Sequence, residues 1–448
     1  MTAPLEIDGA VLDRSRLDAL VAAATRDADA LGLGPGDGIA VAAGDPLGTV
    51  VAAAVAAAGG AAIVHTWQPL AELAREPHRR WARLWSTGGD AIAVAPAARR
   101  ADAPELPAEA GALLWTSGSS GAPRMAVLPR SGLVQQAQAT AERLGVGGDD
   151  VLLLPLPVDH AYGFSVIELA RATGARLRLE TAPSARRVVR RLRTGRVTML
   201  DGFPSLYRQL LAIARRDAEV AALLAAPRVR GCGGDVLAPA LARDFLDGVG
   251  ASLHDGYGLT EAGPNVALSA PGHQRLGCAG RALRGVELRL ARDGELLVRS
   301  PGTMLGYLDD APATHAALGA DGWLRTGDLA ALDDDGFLTV VGRKKQVIVV
   351  HGECHAPAQI EAAALTAGVV AEAVAVGRPG GHPLGDHITL FVQRGERTGD
   401  DVERDVAAAC RALPVHLRPH AIVVLDALPR VPTGKPDRDA LRRAAAMS

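Results

Sequence analysis

Leu113-Leu114-Trp115-Thr116-Ser117-Gly118-Ser119-Ser120-Gly121-Ala122-Pro123-Arg124 is the stretch on which the reading of this 448-residue chain turns. An apolar run that reads as a buried strand passes straight into six small or hydroxylated residues, then a proline and a cation. Glycines admit positive φ and close backbone approach, hydroxyl and amide groups can surround an anion, and Arg124 brings a planar fork of donors. A loop so composed can hold a polyphosphate. It is not a Walker A loop, because the Gly-x4-Gly-Lys-Ser/Thr spacing is missing. Taken alone, the string is equally a solvated Gly/Ser turn.

Outward from this strand the pattern alternates. On its N-terminal side, apolar residues recur at helical spacing over 17–31, until Gly32, Gly34, Pro35 and Gly36 stop the helix. A short buried strand at 39–43 follows, and the unit repeats loosely to residue 64. The apolar run 50–64 reads as a buried helix leading into a strand, and it is too short to span a bilayer. Residues 86–110 look less regular. On the C-terminal side, strand patterns at 151–154, 176–179 and 197–200 are separated by helical ones, which predicts an α/β sheet built from crossovers. Between 276 and 343 the texture turns to short strands and tight turns, an antiparallel β region. Beyond Lys345 come strand 347–350, helix 357–366, strands 372–376 and 388–392, helix 401–412, strand 421–424 and a last helix from Arg438. The expectation is an α/β protein with a large domain over 1–344 and a small α+β domain over 345–448.

Composition narrows the function. Hydrophobic residues make up 48% and charged residues 22%, enough to bury a large core. With 48 basic and 50 acidic residues the formal charge is −2, so no basic excess points to nucleic acid or an anionic membrane. Five Trp, four Tyr and five Phe are few for base stacking. The four cysteines (Cys232, Cys278, Cys354, Cys410) form no CxxC pair, which argues against a disulfide framework or zinc ribbon and fits a reduced, cytoplasmic setting. The first residues lack a basic segment followed by an apolar one, so no leader is expected. A monomer or homodimer is the expected assembly.

Three further segments carry chemistry. In Asp255-Gly256-Tyr257-Gly258-Leu259-Thr260-Glu261-Ala262-Gly263-Pro264, a hydroxyl beside a carboxylate offers the oxygen ligands that Mg²⁺ prefers when it also holds phosphate. In Thr326-Gly327-Asp328 followed by Gly342-Arg343-Lys344-Lys345, Asp328 can accept from ribose hydroxyls and Arg343 can reinforce it. Pro432-Thr433-Gly434-Lys435 sets one lysine on a Gly-flanked loop. Each segment by itself is also an ordinary turn.

In this order, however, the four segments resemble the acyl-adenylate-forming superfamily, which includes acyl-CoA synthetases, 4-coumarate:CoA ligase, firefly luciferase and nonribosomal adenylation domains. The resemblance runs from about Leu17 to Arg438. It implies a large N-terminal domain of layered α/β sheets with a β-barrel-like part, and a small mobile C-terminal domain. It also implies ATP and Mg²⁺ as cofactors, and activation of a carboxylic acid to acyl-AMP with release of pyrophosphate. The acyl group would pass to CoA; the alternative acceptors are a carrier-protein phosphopantetheine or an amine.

Residue by residue, the resemblance implies that Thr116, Ser117, Gly118, Ser119, Ser120 and Gly121, with Arg124, handle the β,γ-phosphates. Gly233, Gly234 and Asp235, with Asp255, Gly256, Tyr257 and Gly258, would flank adenine and the acyl group. Thr260 would touch the α-phosphate and Glu261 the magnesium. Asp328 would bind ribose with Arg343 beside it, and Lys435 would bridge carboxylate and α-phosphate. His160, the remaining catalytic candidate, would gate an acyl pocket lined also by Tyr162, Phe164, Phe203, Gly233 and Gly258. Lys345 would be the hinge and Gly352 would line the thiol passage. Aromatic residues gather near these motifs, which favours an aromatic or short unsaturated acid.

The chain departs from the family pattern where Arg124 replaces a lysine and Met125 a glycine. It departs again at Gln346, His351, Cys354 and His355 around the hinge and thiol passage. A metal held by His351, Cys354 and His355 lacks an evident fourth ligand.

Overall fold

The computed structural model describes residues 4–66, 81–86, 91–96, 105–116, 123–382, 385–395, 401–430 and 436–447. Two compact units emerge: residues 1–289, 297–326 and 332–339 form one, and residues 290–296, 327–331 and 340–448 the other.

The first unit opens with the strands β1 (Leu5–Ile7) and β2 (Ala10–Leu12), then α1 (Arg14–Ala30), β3 (Gly38–Ala42), α2 (Pro46–Gly59) and β4 (Ala62–Thr66). Helix α1 buries Leu17, Leu20, Ala24 and Ala28 on one face, and the Asp13 carboxylate caps it by accepting from the Arg16 amide at 2.8 Å. Asp45 and Pro46 start α2, and Gly60 ends it at φ +80, a left-handed cap that suits glycine. The apolar run from residue 50 is thus a buried helix feeding a buried strand. Next come β5 (Trp81–Ser86), β6 (Ile92–Pro96), β7 (Ala110–Thr116), β8 (Arg124–Pro129) and α3 (Arg130–Leu144). Among the described residues of 86–110, where the sequence looks less regular, the strand β6 lies, with β5 ending at Ser86 and β7 beginning at Ala110.

The chain continues through β9 (Val151–Leu154), α4 (Ala161–Thr173), β10 (Arg176–Leu179), α5 (Ala185–Arg193), β11 (Met199–Gly202), α6 (Pro204–Ala214), α7 (Ala218–Ala225), β12 (Val229–Cys232), α8 (Pro239–Val249) and β13 (His254–Tyr257). With β1, β2, β14 (Ala267–Leu268) and β15 (Arg281–Ala282) these strands build a nine-stranded sheet in the order β15-β14-β13-β12-β11-β9-β10-β1-β2. Its centre is parallel: β10 with β9, β9 with β11, β11 with β12, β12 with β13. After β9 the chain moves one way to β10, then returns past β9 to β11 and proceeds the other way. Open α/β sheets bind ligands beyond the C-terminal ends of the strands that flank such a reversal, here β9 and β11. One face of this sheet is covered by α5 to α8, whose core includes Tyr207, Leu210, Leu224 and Phe245.

Five strands give residues 287–343 a β texture, four of them short as expected and one of nine residues: β16 (Glu287–Leu290), β17 (Glu295–Arg299), β18 (Gly306–Tyr307), β19 (Leu324–Leu332) and β20 (Leu338–Arg343), with α9 (Ala311–Ala317) after β18. Strand β18 completes a seven-stranded sheet, β18-β8-β7-β4-β3-β5-β6.

The second unit contains β21 (Ile348–Val350), β22 (Glu353–His355), α10 (Pro357–Leu365), β23 (Val370–His382), β24 (Gly385–Arg394), α11 (Val402–Cys410), β25 (Ala421–Leu425) and α12 (Arg438–Met447); one core gathers Ile348, Ile360, Leu390, Val392 and Val406, and a second sets Leu441 and Ala445 of α12 against Val374, Val376 and Phe391. The unit also takes in 290–296 and 327–331, which the sequence had assigned elsewhere. Ion pairs tie these stretches to the rest of the unit: Lys344 holds Glu295 at 3.2 Å, and Arg343 holds Asp328 at 2.9 Å. The protein is thus α/β with several mixed sheets, and no described helix is long and apolar enough to cross a membrane.

Candidate active site

Strands β7 and β8 are an antiparallel pair with Thr116 directly opposite Arg124. Thr116 is buried at the strand end. Ser117, Gly118, Ser119, Ser120 and Gly121 lie outside the described residues. Arg124 donates from Nε to Asp310 Oδ2 at 2.9 Å, and its guanidinium carbon stands 5.6 Å from the centre of the Tyr307 ring.

Thr260, Glu261 and Ala262 form a single 3-10 turn beyond β13. Tyr307 donates its hydroxyl to Glu261 Oε1 at 2.9 Å, and the Met304 amide donates to the Glu261 carbonyl at 2.8 Å. Burial, with the Glu261 charge beside it, raises the Tyr307 pKa, which keeps the phenol a donor. Below the turn, Gln136 of α3 donates to the carbonyls of Ala262 (2.9 Å) and Asn265 (2.8 Å) and to Ser300 Oγ (3.1 Å). Gly263 sits at φ +76, and a Cβ there would strike the Gln136 carboxamide. At Gly258 a side chain would run into the Pro264 carbonyl, so this loop folds back on itself only because glycine is present.

The ends of β11, β12 and β13 carry the next group. Cys232 lies in register with Asp255, which brings Gly233, Gly234 and Asp235 alongside Gly256 and Tyr257. Burial pushes the Asp255 carboxyl up to about 8, against the hydrogen bond it takes from the Gly256 amide. Gly234 has φ +78, and a Cβ there would come within 2.7 Å of the Phe203 ring. His160, Tyr162 and Phe203 form an edge-on aromatic set: the Phe203 centroid is 6.0 Å from His160 and 6.4 Å from Tyr162. His160 also caps α4, accepting from the Tyr162 amide at Nδ1 (3.3 Å). Behind Tyr162 lies Asp201, a carboxyl that sequence reading passed over. It accepts from the Tyr162 hydroxyl at 2.8 Å, and burial raises its pKa to about 7. Phe164 does not join this set. It is 1% exposed and meets the buried His65 edge-on, 5.5 Å between centroids.

The second unit contains the remaining candidates. Asp328 is 3% exposed and paired with Arg343. The Lys345 carbonyl accepts from Arg442 of α12 at 2.9 Å, next to a turn in which the Gln346 and Val347 amides both donate to the Arg343 carbonyl. His351 and Gly352, at φ +56 and +79, are the two central residues of the β21–β22 hairpin, since Val350 pairs with Glu353. The His351 and His355 rings both lie against His416, at 5.6 and 5.4 Å between centroids. No cluster of three metal ligands occurs among the described residues. Lys435 lies outside them; the flanking Arg430 and Pro436 form an antiparallel bridge.

A family model for AMP-binding enzymes matches residues 73–308, more than half of the chain. Among curated relatives, a methyl-dioxo-octahydroindenyl-propanoyl:CoA ligase of Mycobacterium tuberculosis is 31% identical over 368 residues, covering 81% of this chain and 71% of the relative. The 4-coumarate–CoA ligase 1 of Oryza sativa is 29% identical over 75% of this chain and 63% of its own length. The chain thus spans roughly two thirds of these relatives. The ATP-bound crystal structure of MatB from Rhodopseudomonas palustris superimposes with a TM-score of 0.82 at 22% identity, covering 99% of this chain and 96% of that one. The fold, the ordered motifs and the family match agree, and the chain belongs to the AMP-binding enzyme family, that of the AMP-forming acyl-CoA ligases.

Proposed function

We propose that this protein activates a carboxylic acid with ATP, giving acyl-AMP and pyrophosphate, and then transfers the acyl group to the thiol of CoA. The observation that carries the reading is the convergence of the β7–β8 pair, with Thr116 facing Arg124, and the Thr260–Glu261 turn on one segment, 304–310. That both curated relatives are CoA ligases supports CoA as the acceptor.

The chemistry is dominated by charge. A carboxylate must approach the α-phosphorus of a polyanion, and at about 4 Å with an effective dielectric near 20 each like-charge pair costs about 4 kcal/mol. In this reading Thr116 to Gly121 and Arg124 hold the β,γ-phosphates. Thr260 and Glu261 offer a hydroxyl and a carboxylate, hard oxygens that fit Mg²⁺; when bound, the ion would neutralise phosphate charge. Asp328, steadied by Arg343, accepts from the ribose hydroxyls. Lys435 offsets the charge of the incoming carboxylate and of the in-line transition state. The chain beyond Lys345 pivots at that residue, and Gly352 lines the path of the thiol. His160, Tyr162 and Phe203 wall the acyl pocket. Flat rings beside side-chain-free Gly233 and Gly234 favour an aromatic or short unsaturated acid.

ATP–pyrophosphate exchange with a panel of benzoates, cinnamates and fatty acids tests the first step. Mass spectrometry of products formed with CoA, phosphopantetheinyl carrier protein or amines tests the second. Accumulation of ADP in place of AMP would refute the reading. Preference for long-chain fatty acids would refute the aromatic pocket alone.

A further inference from the structure

The segment from Met304 to Thr314 touches both halves of the nucleotide site. Strand β18 pairs with β8, Tyr307 opposite Ala126, and the Leu308 amide donates to the Met125 carbonyl at 2.8 Å. Tyr307 and Asp310 are therefore fixed to the strand that carries Arg124. Thr314 locks the pair to each other: its hydroxyl accepts from the Tyr307 amide (2.8 Å) and donates to the Asp310 carbonyl (2.9 Å). The two oxygens of Asp310 have separate duties, Oδ1 capping α9 at the Ala313 amide (3.0 Å) and Oδ2 taking Arg124. Neither Tyr307 nor Asp310 has a part in the chemistry described above.

We propose that Tyr307 and Asp310 are positioning residues for magnesium-nucleotide binding: Tyr307 sets the rotamer of Glu261 through Oε1, and Asp310 aims Arg124 through Nε. The inference rests on the functional reading above. Tyr307 engages one carboxylate oxygen of Glu261, and the other is the one it would offer to a cation. Arginine at position 124 also gains a rationale. Asp310 fixes the plane of the guanidinium through Nε, and a planar fork of donors can be aimed in this way where the single nitrogen of a lysine cannot.

Titration calorimetry of the full chain with ATP, with and without Mg²⁺, tests this, together with Mn²⁺ binding followed by electron paramagnetic resonance. Tyr307→Phe keeps the ring beside Arg124 and removes only the hydroxyl. It is expected to weaken Mg²⁺-dependent ATP binding and Mn²⁺ binding by roughly tenfold, leaving metal-free ATP binding within about twofold. Asp310→Asn keeps the helix cap and should weaken ATP binding with or without metal by a similar factor. That loss should vanish in an Arg124→Met background, where no cation is left for Asp310 to aim. Unchanged Mn²⁺ affinity in Tyr307→Phe, or an Asp310→Asn effect of equal size in the Arg124→Met background, overturns the proposal. If the native protein binds no ATP, the functional reading itself falls.

Discussion

His65 is the sharpest test of the packing inside the first unit. It sits on β4 with no exposed surface, its ring edge-on to Phe164, and neither ring nitrogen has a hydrogen-bond partner among the described residues. Burial lowers its pKa from 6.5 to about 4, so the folded protein holds the neutral imidazole while the unfolded chain takes up a proton near 6.5. Between those values the unfolded state binds more protons. The contribution of His65 is therefore fully present above pH 6.5 and is lost as the pH falls toward 4. Integrating the proton difference from pH 7.5 to pH 5 gives about 2 kcal/mol, rising to about 3 kcal/mol below pH 4. His65→Leu removes both nitrogens and the titration. Urea denaturation of the native protein and the variant at pH 7.5 and 5.0 should show their stability difference moving by about 2 kcal/mol in the variant's favour at the lower pH. His254, also lowered to about 4, is present in both proteins and cancels. A difference that stays constant with pH would refute the reasoning, whatever its size.

Lys435→Ala should slow ATP–pyrophosphate exchange by roughly 10²–10³ and leave thiol transfer from supplied acyl-AMP much less affected, as single-turnover assays would show. Phe203→Ala removes one wall of the aromatic set and should raise the KM for the acid roughly tenfold with the KM for ATP unchanged in steady-state kinetics. Gly258→Ala drives a methyl group into the Pro264 carbonyl; a loss of about 1–3 kcal/mol in urea denaturation and failure of pyrophosphate exchange are expected.

Sequence periodicity exposed most of the elements because their burial is regular. Residues 151–154, 176–179 and 357–365 each present a run that one pattern explains. Where it slipped, a polar or very short element was the cause. The apolar run 197–200 suggested a strand two residues early; the strand runs Met199–Gly202 because its register with β12 pairs Asp201 with Gly231. Strands β1 and β2, three residues each, are too short to show a period. Phe164 illustrates a different limit. Residues two apart on a helix point about 200° away from each other, so Tyr162 and Phe164 on α4 take opposite faces and only one can meet Phe203. The helical pattern between the strands at 151–154 and 176–179 carries this information, but its phase relative to Phe203 comes only with the helix bounds, Ala161–Thr173. Gln136, Asp201, Tyr307 and Asp310 were not readable, since their partners lie far away along the chain and no local pattern marks them.

The pairing of Lys344 with Asp293 and Glu295, and of Arg343 with Asp328, has a practical corollary for anyone wishing to excise the C-terminal unit. A gene fragment beginning at residue 345 would discard both cations together with the three carboxylates that answer them. One starting at 340 would keep the cations and strand them without counter-ions. The unit is assembled from three separate stretches of polypeptide, so a faithful excision must splice 290–296 and 327–331 back in.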